Sequence, residues 1–150
     1  MSFPINLPFL SDREAIEDVI YRCMLSVDAA DEKLFDSSLL PNATIEFNGS
    51  EVSGIQNIRR ALFEKISKLD CTHHVSNIRI NSSGNTASVT ASVLAQHYRE
   101  GEGNISNTQS LLSGGLNFFE VAKDDIDDLW RVKSWKVKTI WSEGDPTIVS

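Results

Sequence analysis

The sequence lacks most of the features that announce a function by themselves. Only two of its 150 residues are cysteines, Cys23 and Cys71, and they form neither a CxxC pair nor a dense disulfide pattern. Both are read as reduced core thiols. No apolar run approaches the roughly 20 residues of a membrane span, and the opening MSFPINLPFLSDRE carries prolines where a signal peptide needs an uninterrupted hydrophobic stretch. A soluble, cytoplasmic protein without a membrane partner is expected. Lys and Arg number 14 against 21 Asp plus Glu, a formal net charge of −7. No basic cluster interleaved with aromatics offsets that sign, which argues against nucleic acid as a partner. GxSxG, P-loop and dinucleotide fingerprints are missing, and so are HxH, HxxxH and HExxH. No cofactor and no metal are therefore expected.

What is present suits one domain with a proper core, since 41% of the residues are hydrophobic. SDRE at 11–14 has the form of a capping box and predicts a helix start. Ile16, Val19, Ile20, Cys23, Met24 and Val27 then repeat at spacings of three and four, so one stripe faces a core until about Ala30. Asp31 caps a short second helix carrying Leu34, Phe35 and Leu39, which Pro41 and Asn42 close. Residues 43–54 read as a hairpin around Asn48-Gly49, and Ile55, Ile58, Leu62, Ile66 and Leu69 define a third helix. From 71 onward the signal is all strand, over 71–81, 86–99, 110–123 and 129–142. Sequential antiparallel strands with three helices against one face define the α+β class. The connection EGEGNISNTQ, 100–109, exceeds a tight turn and is either a mobile lid or a slack loop.

Side-chain alternation locates the candidate chemistry. Ile78 and Ile80 mark one apolar face of their strand, which assigns His74 to that face and turns His73 to the other. The two histidines then diverge and form no metal pair. On the next strand Ala87, Val89, Ala91, Val93 and Ala95 share a face with His97, and the small alanines leave room for a pocket. Trp130 and Val132 differ in parity from Trp135, Val137 and Trp141, which predicts a bulge near Lys133-Ser134. Asp28, one turn beyond Met24, could reach the same cavity and orient an imidazole for proton transfer. Two readings of each residue stand. His74 is an acid/base or a hydrogen-bonded core histidine, and Asp28 is its partner or helix-end solvation. Asp31 reads chiefly as an N-cap. Tyr21 could supply a phenol, and His97 is a supporting residue or a satisfied strand-end residue.

The segments AIEDVIYRCMLSVDAADEKLFDSSLLPNATIEFNG, GIQNIRRAL, THHVSNIRI, NTASVTASVLAQHYREGEG and LWRVKSWKVKTIWSEGD occur in an order and spacing that resembles a known family. It is the SnoaL-like and scytalone dehydratase-like branch of the nuclear transport factor 2-like superfamily. The resemblance covers about residues 10–146 of a single domain spanning 1–150. It implies a cone-shaped α+β barrel, a strongly curved and mostly antiparallel sheet with a mixed edge, wrapped around three helices. It further implies cofactor-free dehydratase, isomerase or cyclase chemistry on a small oxygenated polyketide or terpenoid intermediate, in which Asp28 and His74 fall on acid/base positions and His97 lies near a second pocket histidine. Phe47 and Asn48 stand where steroid isomerases carry their basic aspartate, and Val27 replaces a flanking tyrosine of the dehydratases. The rival from another class is a non-catalytic binding or assembly module on the same cone. The expected lining is Met24, Phe47, Ile78, Val89, Ala91, Val93, Phe118 and Trp141. The surplus of large apolar side chains on the sheet, Trp130, Trp135, Trp141, Phe118 and Phe119, leads to the expectation of a homo-oligomer, a dimer first and a trimer second.

Overall fold

The computed structural model describes residues 2–150. Helix α1 (Asp12–Asp28) begins at the expected box: Ser11 Oγ accepts from the Glu14 amide at 3.2 Å, and the Glu14 carboxylate accepts from the Ser11 amide at 2.7 Å. Its buried stripe contains all six apolar residues named from the sequence. The chain then turns through Ala30 at φ 52° into α2 (Glu32–Ser38). Asp31 caps that helix, accepting from the Leu34 amide at 3.1 Å and from the Phe3 amide at 2.9 Å. Its carboxylate is thereby committed to structure, and these two bonds lead the causes that hold its pKa below the usual range. Strand β1 (Leu39–Phe47) starts directly after Ser38, so Pro41 and Asn42 lie inside a strand, where the register shifts between Leu39 and Thr44, and do not close the helix. That is where proline is tolerated, at an irregularity in a ladder.

Asn48 and Gly49, both at positive φ, make the turn to β2 (Ser50–Ser53), as their sequence pair predicts. The third helix, α3 (Ile55–Ile58), widens into a π turn (Arg59–Phe63) and ends as Glu64–Ile66. Four long strands follow: β3 (Asp70–Ser83), β4 (Thr86–Tyr98), β5 (Ser110–Lys123) and β6 (Trp130–Gly144). Among the described residues they join β1 and β2 in one six-stranded sheet, ordered β2-β1-β6-β5-β4-β3 and antiparallel except for the parallel β1–β6 pair.

Helix stripes and the inward residues of the sheet share one apolar core, including Ile16, Ile20, Phe35, Val89, Phe119 and Trp130. Arg22 crosses it almost fully buried, bonded to Asp18 at 3.0 Å and to the Trp130 carbonyl at 2.6 Å, which ties α1 to β6. No helix among the described residues is long and apolar enough to cross a membrane.

Three bulges decide which side chains face inward. The expected one in β6 is present, where Val132 and Ser134 pair with consecutive residues of β5 and Lys133 is left over. A second leaves out Ile140, so Trp141 turns to the outer face and its ring covers Gly114, where a Cβ would collide with it. The third is in β3: Ser76 pairs with Ser92 but Arg79 with Thr90, so Asn77, at φ 53°, is the additional residue.

Candidate active site

The β3 bulge corrects the expected site. Counting back from Ile78 and Ile80 crosses Asn77, and one additional residue reverses the parity of everything before it. His73 and Val75 therefore face inward, and His74 is exposed on the outer face. The expected contact of Asp28 with His74 is not formed. Asp28, the last residue of α1, instead holds His73 twice: Oδ2 accepts from the His73 backbone amide at 2.8 Å, and Oδ1 lies 2.6 Å from His73 Nδ1. Oδ1 also accepts a weak bond from Cys71 Sγ at 3.5 Å. A carboxylate only accepts, so Nδ1 carries the hydrogen, and in the neutral imidazole Nε2 keeps its lone pair. Both side chains are about 15% exposed, the partly dry setting in which a charge-assisted hydrogen bond fixes a rotamer.

His73 borders a cavity of about 370 Å³. Met24 and Val27 of α1, Leu62 and Ile66 of the third helix, and Phe47, Val93, Ala95, Trp135 and Val137 of the sheet give it an apolar wall. Met24, Phe47 and Val93, named from the sequence, lie in this lining. Val89 and Ala91 are buried nearer the other end of β4, and Ile78 packs against the core beside them, so these three do not. Phe118 is 39% exposed because β5 keeps strict alternation and turns Asn117 and Phe119 inward; Trp141 is 46% exposed beyond its bulge. Tyr21 is likewise on the solvent side of α1, 45% exposed and outside the cavity lining. The 100–109 connection does not border the cavity; Gly103 of that loop donates to Asp70 at 2.8 Å.

His97 is where alternation put it, buried in the cavity wall, its ring edge-on to His73 with centroids 5.1 Å apart. Burial, and then the neighbouring His73, push its pKa down to about 4. Its Nδ1 is buried without a hydrogen-bond partner. Cys71, two residues before His73, has its thiol pushed up to about 12 by burial, with the Asp28 charge next in effect. Asn117 was not anticipated, although parity from Phe119 and Val121 assigns it to the inner face. It is almost fully buried, and its Oδ1 accepts from Trp135 Nε1 at 2.6 Å, which orients the amide in the cavity wall.

The helix-backed curved sheet around an apolar cavity is a fold shared with nuclear transport factor 2-like proteins. Within it, the chain belongs to the SnoaL-like domain family, whose model matches residues 8–136. Over 146 residues it is 42% identical to terrestric acid biosynthesis cluster protein E of Penicillium crustosum, covering 96% of this chain and 94% of that protein. Among solved structures it is similar to a candidate scytalone dehydratase from Novosphingobium aromaticivorans, with 21% identity, a TM-score of 0.76, and 89% of this chain and 87% of the other covered. It is also similar to a nuclear transport factor 2-like superfamily protein from Salmonella enterica subsp. enterica serovar Typhimurium, with 19% identity, a TM-score of 0.70, and coverages of 83% and 87%. At such identities the structural likenesses establish the fold.

Proposed function

We propose that the chain is a secondary-metabolite enzyme that dehydrates, isomerises or cyclises a small, mostly apolar, oxygenated intermediate by proton transfer without a cofactor. The observation that carries this reading is the His73–Asp28 pair at 2.6 Å in the wall of the apolar cavity. The 42% identical relative named for a biosynthesis cluster supports a role of the same kind.

In this mechanism His73 Nε2 removes a proton from carbon next to an electron-withdrawing group, and Asp28 stabilises the imidazolium that forms. The electron pair of the broken C–H bond becomes a new double bond. In a dehydration it expels hydroxide, which leaves as water with the proton returned by His73; in an isomerisation the proton returns to another carbon. Neutral His97, beside His73, hydrogen-bonds the reacting oxygen. Asn117 lies farther along the sheet, opposite Ala91 of β4, whereas His73 lies opposite Ala95, so its amide anchors a second oxygen of the substrate.

The test begins with the metabolite that accumulates when the gene is deleted, incubated with purified protein in deuterated buffer containing a chelator. Conversion is expected, with deuterium gained at the proton-accepting carbon in an isomerisation and none gained in a dehydration, and should be lost in His73→Ala. Binding without conversion would instead establish the rival reading, a carrier or assembly module.

Self-association completes the proposal. Leu94, Leu116, Phe118 and Trp141 leave a row of half-exposed apolar side chains on the outer face of β4 to β6, and a second copy of the chain would cover it. Sedimentation at micromolar concentration should show a dimer or trimer that Trp141→Lys weakens; a wild-type monomer would overturn it.

A further inference from the structure

The proposed catalysis uses His73 and His97 but gives Cys71 no task, and leaves His97 Nδ1 buried and unpartnered. These facts meet at one place. Cys71 and His73 are two residues apart on the inner face of β3, and Cys71 lies directly opposite His97 on β4. One ligand atom from each, the thiol sulfur and a ring nitrogen of either histidine, lies within 4.8 Å of the other two. Two ligands at alternate positions of one strand and a third across the ladder present their donors to a common point, because all three side chains leave the same face. An HxH pattern does not describe this arrangement, since its strand pair is Cys-x-His and its third member is distant in sequence.

We propose that Cys71, His73 and His97 form a site for one borderline-to-soft divalent ion, of which Zn²⁺ is the type, at the edge of the cavity that the two histidines line. The donor set, one sulfur and two imidazoles, is the set that such ions select over Mg²⁺ or Ca²⁺. Tetrahedral bonds of about 2.0 to 2.3 Å separate ligand atoms by about 3.5 Å, so the side chains need to close by roughly an ångström. Asp28 already occupies His73 Nδ1 and leaves Nε2 to ligate, the carboxylate–histidine–metal relation that fixes a ligand's tautomer. His97 adds a second sign: it is almost fully buried, and its Nδ1 makes no hydrogen bond of good geometry, with only a weak backbone interaction of the ring to Leu111. Charge agrees as well. Asp28 and Asp70 both act on Cys71, and among the described residues no lysine or arginine pairs with Asp28, so a dication meets negative charge unopposed there. On binding, the Cys71 proton leaves to solvent and the thiolate ligates. Three protein ligands leave a fourth position toward the cavity for water or a ligand oxygen.

This ion would occupy the nitrogen the proposed base needs, yet its binding does not depend on that catalysis being correct. The test uses the full chain, stripped by chelator and titrated with Co²⁺. One equivalent should bind with a near-ultraviolet thiolate-to-cobalt charge-transfer band. Cys71→Ser should abolish the band, His97→Ala should weaken binding by at least about tenfold, and Asp28→Asn by about 10- to 100-fold, while His74→Ala should match the parent. X-ray absorption of the unmodified Zn²⁺-loaded chain guards against variants that fail to fold, and should show one sulfur at about 2.3 Å with nitrogen at about 2.0 Å. A shell of nitrogen and oxygen only, or Cys71→Ser binding like the parent, would overturn the site and leave the catalytic reading intact. Unchanged turnover in His73→Ala would overturn the catalysis and leave the site intact.

Discussion

Strands β3 and β4 lie side by side and are nearly equal in length, yet alternation reads one correctly and misreads the other. Along β4 every second residue from Ala87 to His97 is buried, without a break. Along β3 the same rule holds on either side of Asn77 and fails across it, because a residue with positive φ adds one position to the count. The consequence is chemical: the misreading exchanges His74 for its neighbour His73, and with it the partner of Asp28. A period of two carries no memory of an inserted residue, so its reliability extends only to the next bulge.

The largest effect that could break this comparison is in turnover. His73→Ala should cost on the order of 10² to 10⁴, the usual size of a general acid/base contribution, while His74→Ala should stay within a few fold. Asp28 keeps its bond to the His73 amide in the first variant, so the fold should hold. Asp28→Asn should also be slow, and the double variant little slower than the worse single one, because the pair acts as a unit. A larger loss in His74→Ala than in His73→Ala would sink the assignment of faces.

On β4 the expected effect is on stability against pH. His97 has a folded pKa lowered to about 4 from an ordinary 6.5, so the fold favours its neutral form. Stability from this group is full above about pH 6.5 and declines as pH falls to about 4, by roughly 3 kcal/mol. Denaturant titrations in chelator should show that slope in the parent and a flatter one in His97→Phe. Equal slopes would mean that His97 is not held neutral.

The smallest effect sharpens the comparison at its origin. Asn77→Val places a β-branched side chain at φ 53° and should lower stability by about 1–2 kcal/mol, whereas Asn77→Gly should be tolerated better. Thermal melts of the two variants decide it; Val equal to Gly would mean the bulge carries no backbone strain.

Legibility divides along the same line. The α1 start, its apolar stripe, the Asn48-Gly49 turn, the four long strands and the Lys133 bulge were all readable, because each is written in neighbouring residues. The lining was read in part. Met24 and Val93 follow from local periodicity, but Phe118 fails because the apolar Phe118-Phe119 pair does not reveal which ring faces inward. Asn117 could have been found by counting from Phe119, had a polar residue on an apolar face been sought there.

By itself the sequence determined the α+β class, the order of helices and strands, and the presence of Asp28 at the end of α1, since capping, turn chemistry and periodicity act over a few residues. Tertiary structure alone decided that Asp28 meets His73, that Cys71 stands opposite His97, and that Trp135 orients Asn117. Those contacts depend on strand register and on bulges, which are fixed when the whole sheet packs against the helices and not by any short stretch of chain.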